Sequence, residues 1–143
     1  MSISEHISPF IGRAALAWYF LSEAWAWATD WNGSLATLRD AQIPGAELLL
    51  VLGLVILVLG GAALALGYHA RHGAMLLFGF AIAAALALHP WWKLTDEAAR
   101  ATQYAVFIRD IAVAGGLLFV VGLGPGPFAI DNIGRKRRAF SHA

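Results

Sequence analysis

Four long stretches of the sequence are almost entirely apolar, and this pattern predicts four helices that cross a membrane. A helix needs about 20 mostly apolar residues to cross a hydrocarbon core roughly 30 Å thick. The stretches that satisfy this requirement lie at about 9–29, 46–68, 73–92 and 104–124. Their apolar residues do not alternate with polar ones, as they would in membrane-spanning strands. The sequence therefore predicts an all-α integral membrane four-helix bundle.

Shorter segments connect and follow these spans. Residues 34–43 join the first two and are predicted to form a short interfacial helix that ends at Pro44. The last span ends at 124–127, where two prolines cannot continue a helix and two glycines favour a turn. Residues 128–143 form a basic tail. The whole chain, 1–143, is interpreted as one transmembrane domain.

The composition agrees with a membrane protein and excludes several other classes. Of the 143 residues, 59% are hydrophobic and 13% are charged, whereas a typical soluble domain is about 25% charged. The apolar content excludes intrinsic disorder, and a net charge of +1 gives no basic surface for nucleic acid. The absence of cysteine excludes thiolate metal sites, iron–sulfur clusters and disulfide chemistry by the chain's own residues. His69 and His72 have no further ligand nearby, so no metal site is predicted.

Basic residues are shared unequally between the two sides of the predicted bundle. With four crossings, one side carries both termini and holds six of them: Arg13, Arg71, Arg135, Lys136, Arg137 and Arg138. The opposite side holds three: Arg39, Lys93 and Arg100. Because cytoplasmic segments carry the excess of Lys and Arg, both termini are predicted to be cytoplasmic. The run at 135–138 supplies most of this excess and could also bind anionic lipid.

Ionisable residues in or beside the predicted spans are the strongest candidates for a functional site. A charge near the centre of a bilayer costs about 2.5–3.5 kcal/mol, so such a residue faces protein or water and usually has a partner. All four predicted spans place an ionisable group near the outer side of the membrane. The candidate cleft comprises Glu23, Trp27, Glu47, His89, Arg109 and Asp110.

A stripe of aromatic and acidic residues on the first span gives this cleft a chemical character. Its members are spaced by three and four residues, which places them on one helix face: Phe20, Glu23, Trp27 and Asp30. Such a stripe could flank a flat ring such as a quinone headgroup, whose oxygens would accept hydrogen bonds from His89 or Arg109. In the structural alternative, Arg109 pairs with Glu47 or Glu23 only to hold the bundle together.

Glycine pairs recur in the second and fourth spans. Gly60-Gly61 is followed by Gly67, and Gly115-Gly116 is followed by Gly122 at the same spacing. The shared spacing permits an internal repeat. The preferred interpretation is that these glycines let helices approach closely in lipid.

Several of these features together resemble the DoxX family. They are the early arginine in Ile11-Gly12-Arg13, Glu47 at the start of a span with a glycine pair, His89 at the end of the next span, and the ending Gly122-Leu-Gly-Pro-Gly-Pro-Phe-Ala-Ile-Asp131 before basic residues. The resemblance covers roughly 9–138. It implies a four-helix protein of the bacterial inner (plasma) membrane, and it bears on Arg13, Glu47, His89 and Asp131.

The resemblance also implies a functional setting. The founding name of the family belongs to a membrane subunit of a thiosulfate:quinone oxidoreductase, and other relatives are part of membrane oxidoreductase assemblies linked to oxidative stress. The chain has no ligand set for haem, flavin or an iron–sulfur cluster, so a partner would supply electrons. We therefore expect a subunit of a larger quinone-linked complex that is not active alone. Its partners would be the lipid bilayer and other membrane or periplasmic subunits, with a quinone as the candidate ligand and no cofactor bound by its own motifs.

Two other functions are compatible with the sequence. A non-catalytic anchor or assembly subunit fits the short loops and the helix faces rich in glycine and alanine. A small transporter would use the carboxylates within the membrane, but four short spans would have to oligomerise to form a pathway.

Overall fold

The computed structural model describes residues 3–131, with side chains from residue 7 onward, and this part of the chain is helical without strands. Five α-helices follow one another: α1 (Ile3–Thr29), α2 (Trp31–Asp40), α3 (Ala46–Leu66), α4 (Ala70–Leu88) and α5 (Glu97–Leu123). One 3-10 turn, Trp91–Lys93, lies between α4 and α5. The all-helical prediction is confirmed. The basic run at 135–138 and most of the predicted tail lie outside the described residues.

Three helical segments in the described part of the chain are long and apolar enough to cross a membrane. They are Ala46–Leu66, Ala70–Lys93 and Glu97–Leu123. Large apolar side chains are exposed on their surfaces, Leu48 and Phe119 among them, and a surface of this kind suits lipid rather than water. α1 is long enough at 27 residues but is not among the three, so the count of four spans stays a prediction.

Two residues with positive φ form the turn between α3 and α4. Gly67 (φ +67°) ends α3, and its backbone N–H turns back to carbonyls of the last helical turn. The left-handed region favours glycine at such a helix end because glycine has no Cβ to clash. His69 (φ +48°) adopts the same region just before α4 begins. The turn is short, and α3 and α4 consequently pack against each other.

α5 is longer than the span predicted for it. It begins at Glu97 rather than near residue 104, because Asp96 caps it by accepting a hydrogen bond from the backbone N–H of Ala99 at 2.8 Å. Its first turns are polar, so hydropathy alone does not mark them. The helix ends at Gly124, where the predicted glycine and proline turn begins.

A stripe of leucines on α3 forms the centre of the bundle. Leu50, Leu57 and Leu64 are spaced by seven residues and are fully buried, as are Leu77 of α4 and Leu117 of α5. α3 packs between α1 and α4, and α4 packs against α5. Because lipid is as apolar as leucine, close packing rather than escape from water holds such helices together.

Glycines allow this close packing on α3 more than on α5. A Cβ on Gly60 would lie 2.5 Å from the Leu77 side chain, and a Cβ on Gly61 would lie 2.8 Å from the Leu21 side chain of α1. On α5, a Cβ on Gly115 or Gly122 would meet nothing within 4 Å in the described part of the chain. The close-packing interpretation therefore applies to the α3 pair and leaves two glycines of α5 facing outward.

Arg13 holds the segment that follows α5. Its side chain is buried, with only 2% of the residue exposed. The guanidinium donates hydrogen bonds to the carbonyls of Pro125, at 2.5 Å, and Phe128, at 3.2 Å. We call residues 124–131 the tail loop. The end of the bundle where the tail loop docks also holds the α3–α4 turn, and we call it the hairpin end.

Asp131 joins the tail loop to α4. Its carboxylate accepts hydrogen bonds from the backbone N–H groups of His69, at 2.9 Å, and Ala70, at 3.3 Å. These are among the first N–H groups of α4, which have no partner inside the helix itself. Arg13 and Asp131, two residues that carry the family resemblance, are therefore structural groups at the hairpin end.

α2 crosses the opposite end of the bundle, which we call the α2 end. Asp30 separates α1 from α2, and its carboxylate accepts a hydrogen bond from the backbone N–H of Gly33 at 3.1 Å. Two leucines of α2 pack against the start of α3. The helix covers 31–40, three residues earlier than the predicted 34–43.

Candidate functional site

A cavity of about 600 Å³ lies inside the α2 end of the bundle. It is lined by side chains of α1, α2, α4 and α5, with Leu57 contributed by α3. Small-molecule sites in proteins typically measure roughly 300–1,000 Å³. We call this cavity the polar pocket, after the acidic, basic and histidine side chains on its wall: Glu23, Asp30, His89, Arg109 and Asp110.

α1 contributes one continuous stripe to the polar pocket. The structure places on its wall all four residues of the predicted stripe: Phe20, Glu23, Trp27 and Asp30. The Trp27 ring meets Phe80 of α4 edge to face, with the ring centroids 6.0 Å apart. Phe20, Trp27 and Phe80 thus form aromatic walls. The Glu23 carboxylate lies on the same face of α1, and Asp30 follows directly after the end of that helix.

Asp110 of α5 is the centre of a hydrogen-bond network at the pocket. It is buried, with 8% of the residue exposed. Its Oδ1 accepts hydrogen bonds from the Tyr19 hydroxyl at 2.9 Å and from Nε and Nη2 of Arg109, both at 3.1 Å. The Arg109 guanidinium also lies over the Tyr19 ring, 5.4 Å from its centroid. These partners supply the pairing that a buried carboxylate needs.

His89 joins this network from the end of α4. Its Nε2 lies 3.8 Å from Asp110 Oδ2, which is longer than a hydrogen bond. Its Nδ1 lies 2.7 Å from Oε1 of Gln103. This contact orients the ring so that Nε2 faces Asp110.

Glu47 is not brought into the polar pocket. It pairs with Arg39 of α2, Oε1 to Nη2 at 2.8 Å, and the two side chains are 71% and 61% exposed. α2 lies beside the first turn of α3, so a cation closer than Arg109 is available to Glu47. Arg109 is paired with Asp110 instead. The ionisable groups of three long helices, not four, therefore meet at this site.

Five of the six predicted site residues line the polar pocket: Glu23, Trp27, His89, Arg109 and Asp110. Tyr19 and Phe80 also line the pocket without having been predicted, and Gln103 contacts His89 from outside its wall. Tyr19 precedes Glu23 by four residues and Gln103 precedes Asp110 by seven, so each shares a helix face with a predicted residue. That periodicity is the signal that could have identified them.

The described residues contain no group of three or more His, Asp or Glu side chains placed to hold a metal ion. His69 and His72 lie near each other at the hairpin end, with ring centroids 5.6 Å apart. The polar pocket is the cavity that brings most of the predicted site residues together.

Comparisons with known proteins add a family and two relatives. A model of the DoxX family matches residues 8–90, which run from α1 to the end of α4. Inner membrane protein YqjF of Escherichia coli is 25% identical over 135 residues, which cover 93% of this chain and 96% of the relative. Inner membrane protein YphA of the same organism is 22% identical over 121 residues, 85% of this chain and 86% of the relative. No solved structure matches the chain significantly.

Proposed function

The chain belongs to the DoxX family, and from this premise we propose that it is a membrane subunit of a larger, quinone-linked redox complex whose quinone headgroup binds in the polar pocket. The chain is an integral inner-membrane protein, because it has apolar helices long enough to cross a membrane and its relatives are named inner membrane proteins. The observation that supports the proposed ligand is the combination of aromatic walls with a buried network of ring nitrogen, guanidinium and carboxylate in one cavity.

The residues of the polar pocket suit a flat ring with polar edges. Phe20, Trp27 and Phe80 offer apolar surfaces against which an aromatic or quinoid ring packs in offset or edge-on contact. His89 and Arg109 lie on the pocket wall, where they can meet oxygens on the ring edge. A quinone supplies two-electron, two-proton chemistry when bound, and the part of this chain is to orient the ring and to hold protons near its oxygens.

Electrons would come from a partner subunit, because the sequence has no cysteine and no ligand set for haem or flavin. This is why we propose a subunit and not an enzyme that acts alone. The partner would dock on the membrane or periplasmic side of the complex.

We further propose that α1 is a fourth span and that both termini are cytoplasmic. At a rise of about 1.5 Å per residue, its 27 residues extend about 40 Å. Its two central charges face inward, since Arg13 is buried and Glu23 lines the polar pocket. Trp18 and Trp25 face outward, 77% and 73% exposed. α1 therefore presents an apolar surface to lipid although its composition is more polar than that of α3.

A titration with a short-chain quinone tests the proposed ligand. Purified protein in lipid nanodiscs is titrated while tryptophan fluorescence is recorded, because Trp27 lies on the pocket wall. We expect saturable quenching that is smaller in Trp27→Phe. His89→Ala removes a donor to a ring oxygen, and Asp110→Asn neutralises the partner that positions Arg109 on the pocket wall. Each should weaken binding about tenfold, since a hydrogen bond to a charged group contributes about 1.5–3 kcal/mol.

Glu47→Gln is the matched control for this titration. It neutralises a carboxylate at the α2 end that lies outside the pocket and should bind the quinone as the native chain does. Quenching that never saturates, or an equal loss of affinity in Glu47→Gln and Asp110→Asn, would show that the polar pocket is not the quinone site.

A second candidate function, an assembly or anchor subunit, is favoured by the glycines that face outward. Gly115 and Gly122 of α5 and Gly79 of α4 have open space where a Cβ would lie, and small residues on a lipid-facing surface let another helix approach closely. Purification in mild detergent followed by mass spectrometry should then recover partner subunits, and Gly115→Leu should release them.

A further inference from the structure

A second cavity lies at the α2 end, beside the last turn of α4. It measures about 380 Å³, within the range typical of small-molecule sites. Its wall is formed by the end of α2, the loop that joins α2 to α3, the end of α4 and the 3-10 turn. Among the described residues, none lines both this cavity and the polar pocket. We call it the loop cavity, and its wall includes Asp40, Gln42, Ile43, Leu86, Trp92 and Lys93.

The ends of two apolar helical segments place the loop cavity at the boundary between hydrocarbon and headgroups. One segment that can cross a membrane ends at Lys93, and another begins at Ala46, just after the loop that lines the cavity. Trp92 is 49% exposed, and tryptophan rings prefer this level of a bilayer. Leu86 is 52% exposed and lies further inside the same segment as Lys93. The cavity therefore has a hydrocarbon side and a headgroup side.

Two opposite charges lie on the headgroup side. Asp40 brings a carboxylate at the last residue of α2, and Lys93 brings an ammonium group at the end of the 3-10 turn. Within the part of the chain that the structure describes, neither side chain forms an ion pair, with the other or with a third residue. A ligand that carries one negative and one positive group would complement both.

The turn that ends α2 adds an amide to the same wall. The backbone N–H of Ile43 donates to the carbonyl of Leu38 at 3.2 Å, and that of Gln42 donates to the carbonyl of Arg39 at 2.8 Å. This pair of bonds is the Schellman motif, in which the residue with positive φ is usually glycine. Here that residue is Gln42, with φ +55°. The turn thus supplies a side chain that can accept as well as donate hydrogen bonds, on the wall that carries Asp40.

We propose that the loop cavity binds the headgroup of a zwitterionic phospholipid whose positive group is a primary ammonium. Lys93 pairs with the phosphate, while Asp40 and the amide oxygen of Gln42 accept hydrogen bonds from the ammonium group. An acyl chain of the same lipid continues over Leu86 on the exposed surface of α4.

The same wall discriminates against other headgroups. A choline group has no N–H to donate and is typically bound by a cage of aromatic rings, whereas Trp92 is the one aromatic ring among the described residues that line the cavity. An anionic headgroup without an ammonium group satisfies Lys93 but leaves the Asp40 carboxylate near a phosphate of the same sign. The ammonium N–H groups are therefore the feature that selects the ligand.

Native mass spectrometry of the delipidated full chain measures this selection. Phospholipids with identical acyl chains and an ethanolamine, choline or glycerol headgroup are each titrated into the protein in detergent micelles. We expect the ethanolamine lipid to bind at least about fivefold more tightly than the other two, the scale of one net hydrogen bond. Methylation of its ammonium group, one methyl at a time, should lower the affinity stepwise, because each methyl removes a donor at constant charge.

Variants assign the preference to the loop cavity. The double variant Asp40→Ala/Gln42→Gly removes both acceptors, and glycine suits the positive φ at residue 42, so it should fold and bind the ethanolamine and choline lipids equally. Lys93→Gln should weaken all three lipids about fivefold, since each carries the phosphate. Glu97→Gln and Arg100→Gln are the matched controls: they change exposed charges at the start of α5, away from the cavity wall, and should bind as the native chain does.

Three results would overturn the proposal. They are equal affinity of the native chain for the ethanolamine and choline lipids, tightest binding of the glycerol lipid, and a preference that persists unchanged in Asp40→Ala/Gln42→Gly. The proposal is independent of the quinone site, because the two cavities have separate walls. Quinone binding by the double variant should equal that of the native chain, so either proposal can fail while the other stands.

Discussion

Individual charged side chains hold the two ends of the bundle, and each one is paired inside the protein. At the hairpin end, Arg13 donates to two carbonyls of the tail loop. At the α2 end, Asp110 accepts from Tyr19 and Arg109. A charge in a membrane protein has to face protein or water. Although few residues of the chain are charged, these charged residues have defined structural positions.

Arg13→Lys tests the role of the buried arginine. An ammonium group lacks the planar fork that reaches two carbonyls at once, so we expect a loss of about 2 kcal/mol, in the range for hydrogen bonds to a charged group. Thermal unfolding in detergent measures it. Arg100→Lys, at an exposed position of α5, is the control and should unfold as the native chain does. Equal midpoints for the two variants would contradict the structural role of Arg13.

Residue contacts between distant parts of the chain are what the sequence could not predict. The periodicity of α1 was sufficient to place Phe20, Glu23 and Trp27 on one face, because a helix repeats locally. The pairing of Tyr19 with Asp110 depends on how α1 meets α5, and nothing local encodes it. Glu47 was predicted at the cleft, whereas its carboxylate pairs with Arg39, a contact that depends in the same way on the packing of α2 on α3.

At the scale of helices, the apolar pattern predicted where the long elements lie and hydrogen-bonded caps determine where they end. α3 starts at its predicted residue, 46, and α4 starts at residue 70, three residues before the predicted 73. α5 starts at Glu97, well before the predicted residue 104, because hydropathy detects neither the Asp96 cap nor the polar first turn of the helix. Helix existence therefore follows from composition, whereas helix ends follow from individual side chains.

Gly60→Ala tests the close packing of α3 on α4. The new Cβ would lie 2.5 Å from the Leu77 side chain, and overpacking of this kind typically costs about 1–3 kcal/mol. Thermal unfolding of Gly60→Ala, Leu77→Ala and the double variant forms a double-mutant cycle. The double variant should be more stable than the sum of the single losses predicts.

Gly79→Ala is the control for this cycle, because a Cβ there would meet nothing within 4 Å. It should be neutral or slightly stabilising, since alanine favours the helix by up to about 1 kcal/mol. If Gly60→Ala behaves like Gly79→Ala, the helices are not held by the glycine contact.

At the scale of the whole molecule, the orientation in the membrane decides which side the polar pocket faces. The chain has no cysteine, so a thiol reagent labels only the cysteine that a variant introduces. The excess of basic residues predicts that the hairpin end faces the cytoplasm. The polar pocket would then lie near the outer side, where a periplasmic partner could reach it.

Single-cysteine variants test this orientation and the crossing of α1 together. With a membrane-impermeant maleimide on spheroplasts, Asn32→Cys should be labelled, whereas Ser8→Cys and His72→Cys should react only after permeabilisation. Labelling of Ser8→Cys and Asn32→Cys from the same side would show that α1 does not cross. A complete reversal of the three results would place both termini outside.

The proposed quinone site is tested most directly by locating a bound quinone on the chain. A short-chain quinone with a photoreactive group on its ring is cross-linked to the purified protein, and the labelled peptides are identified by mass spectrometry with and without excess hydroquinone. We expect the label within 19–30 and 106–113, suppressed by the competitor and reduced in Asp110→Asn but not in Glu47→Gln. A label distributed over the lipid-facing surfaces of the helices and unaffected by the competitor would contradict a quinone site in the polar pocket.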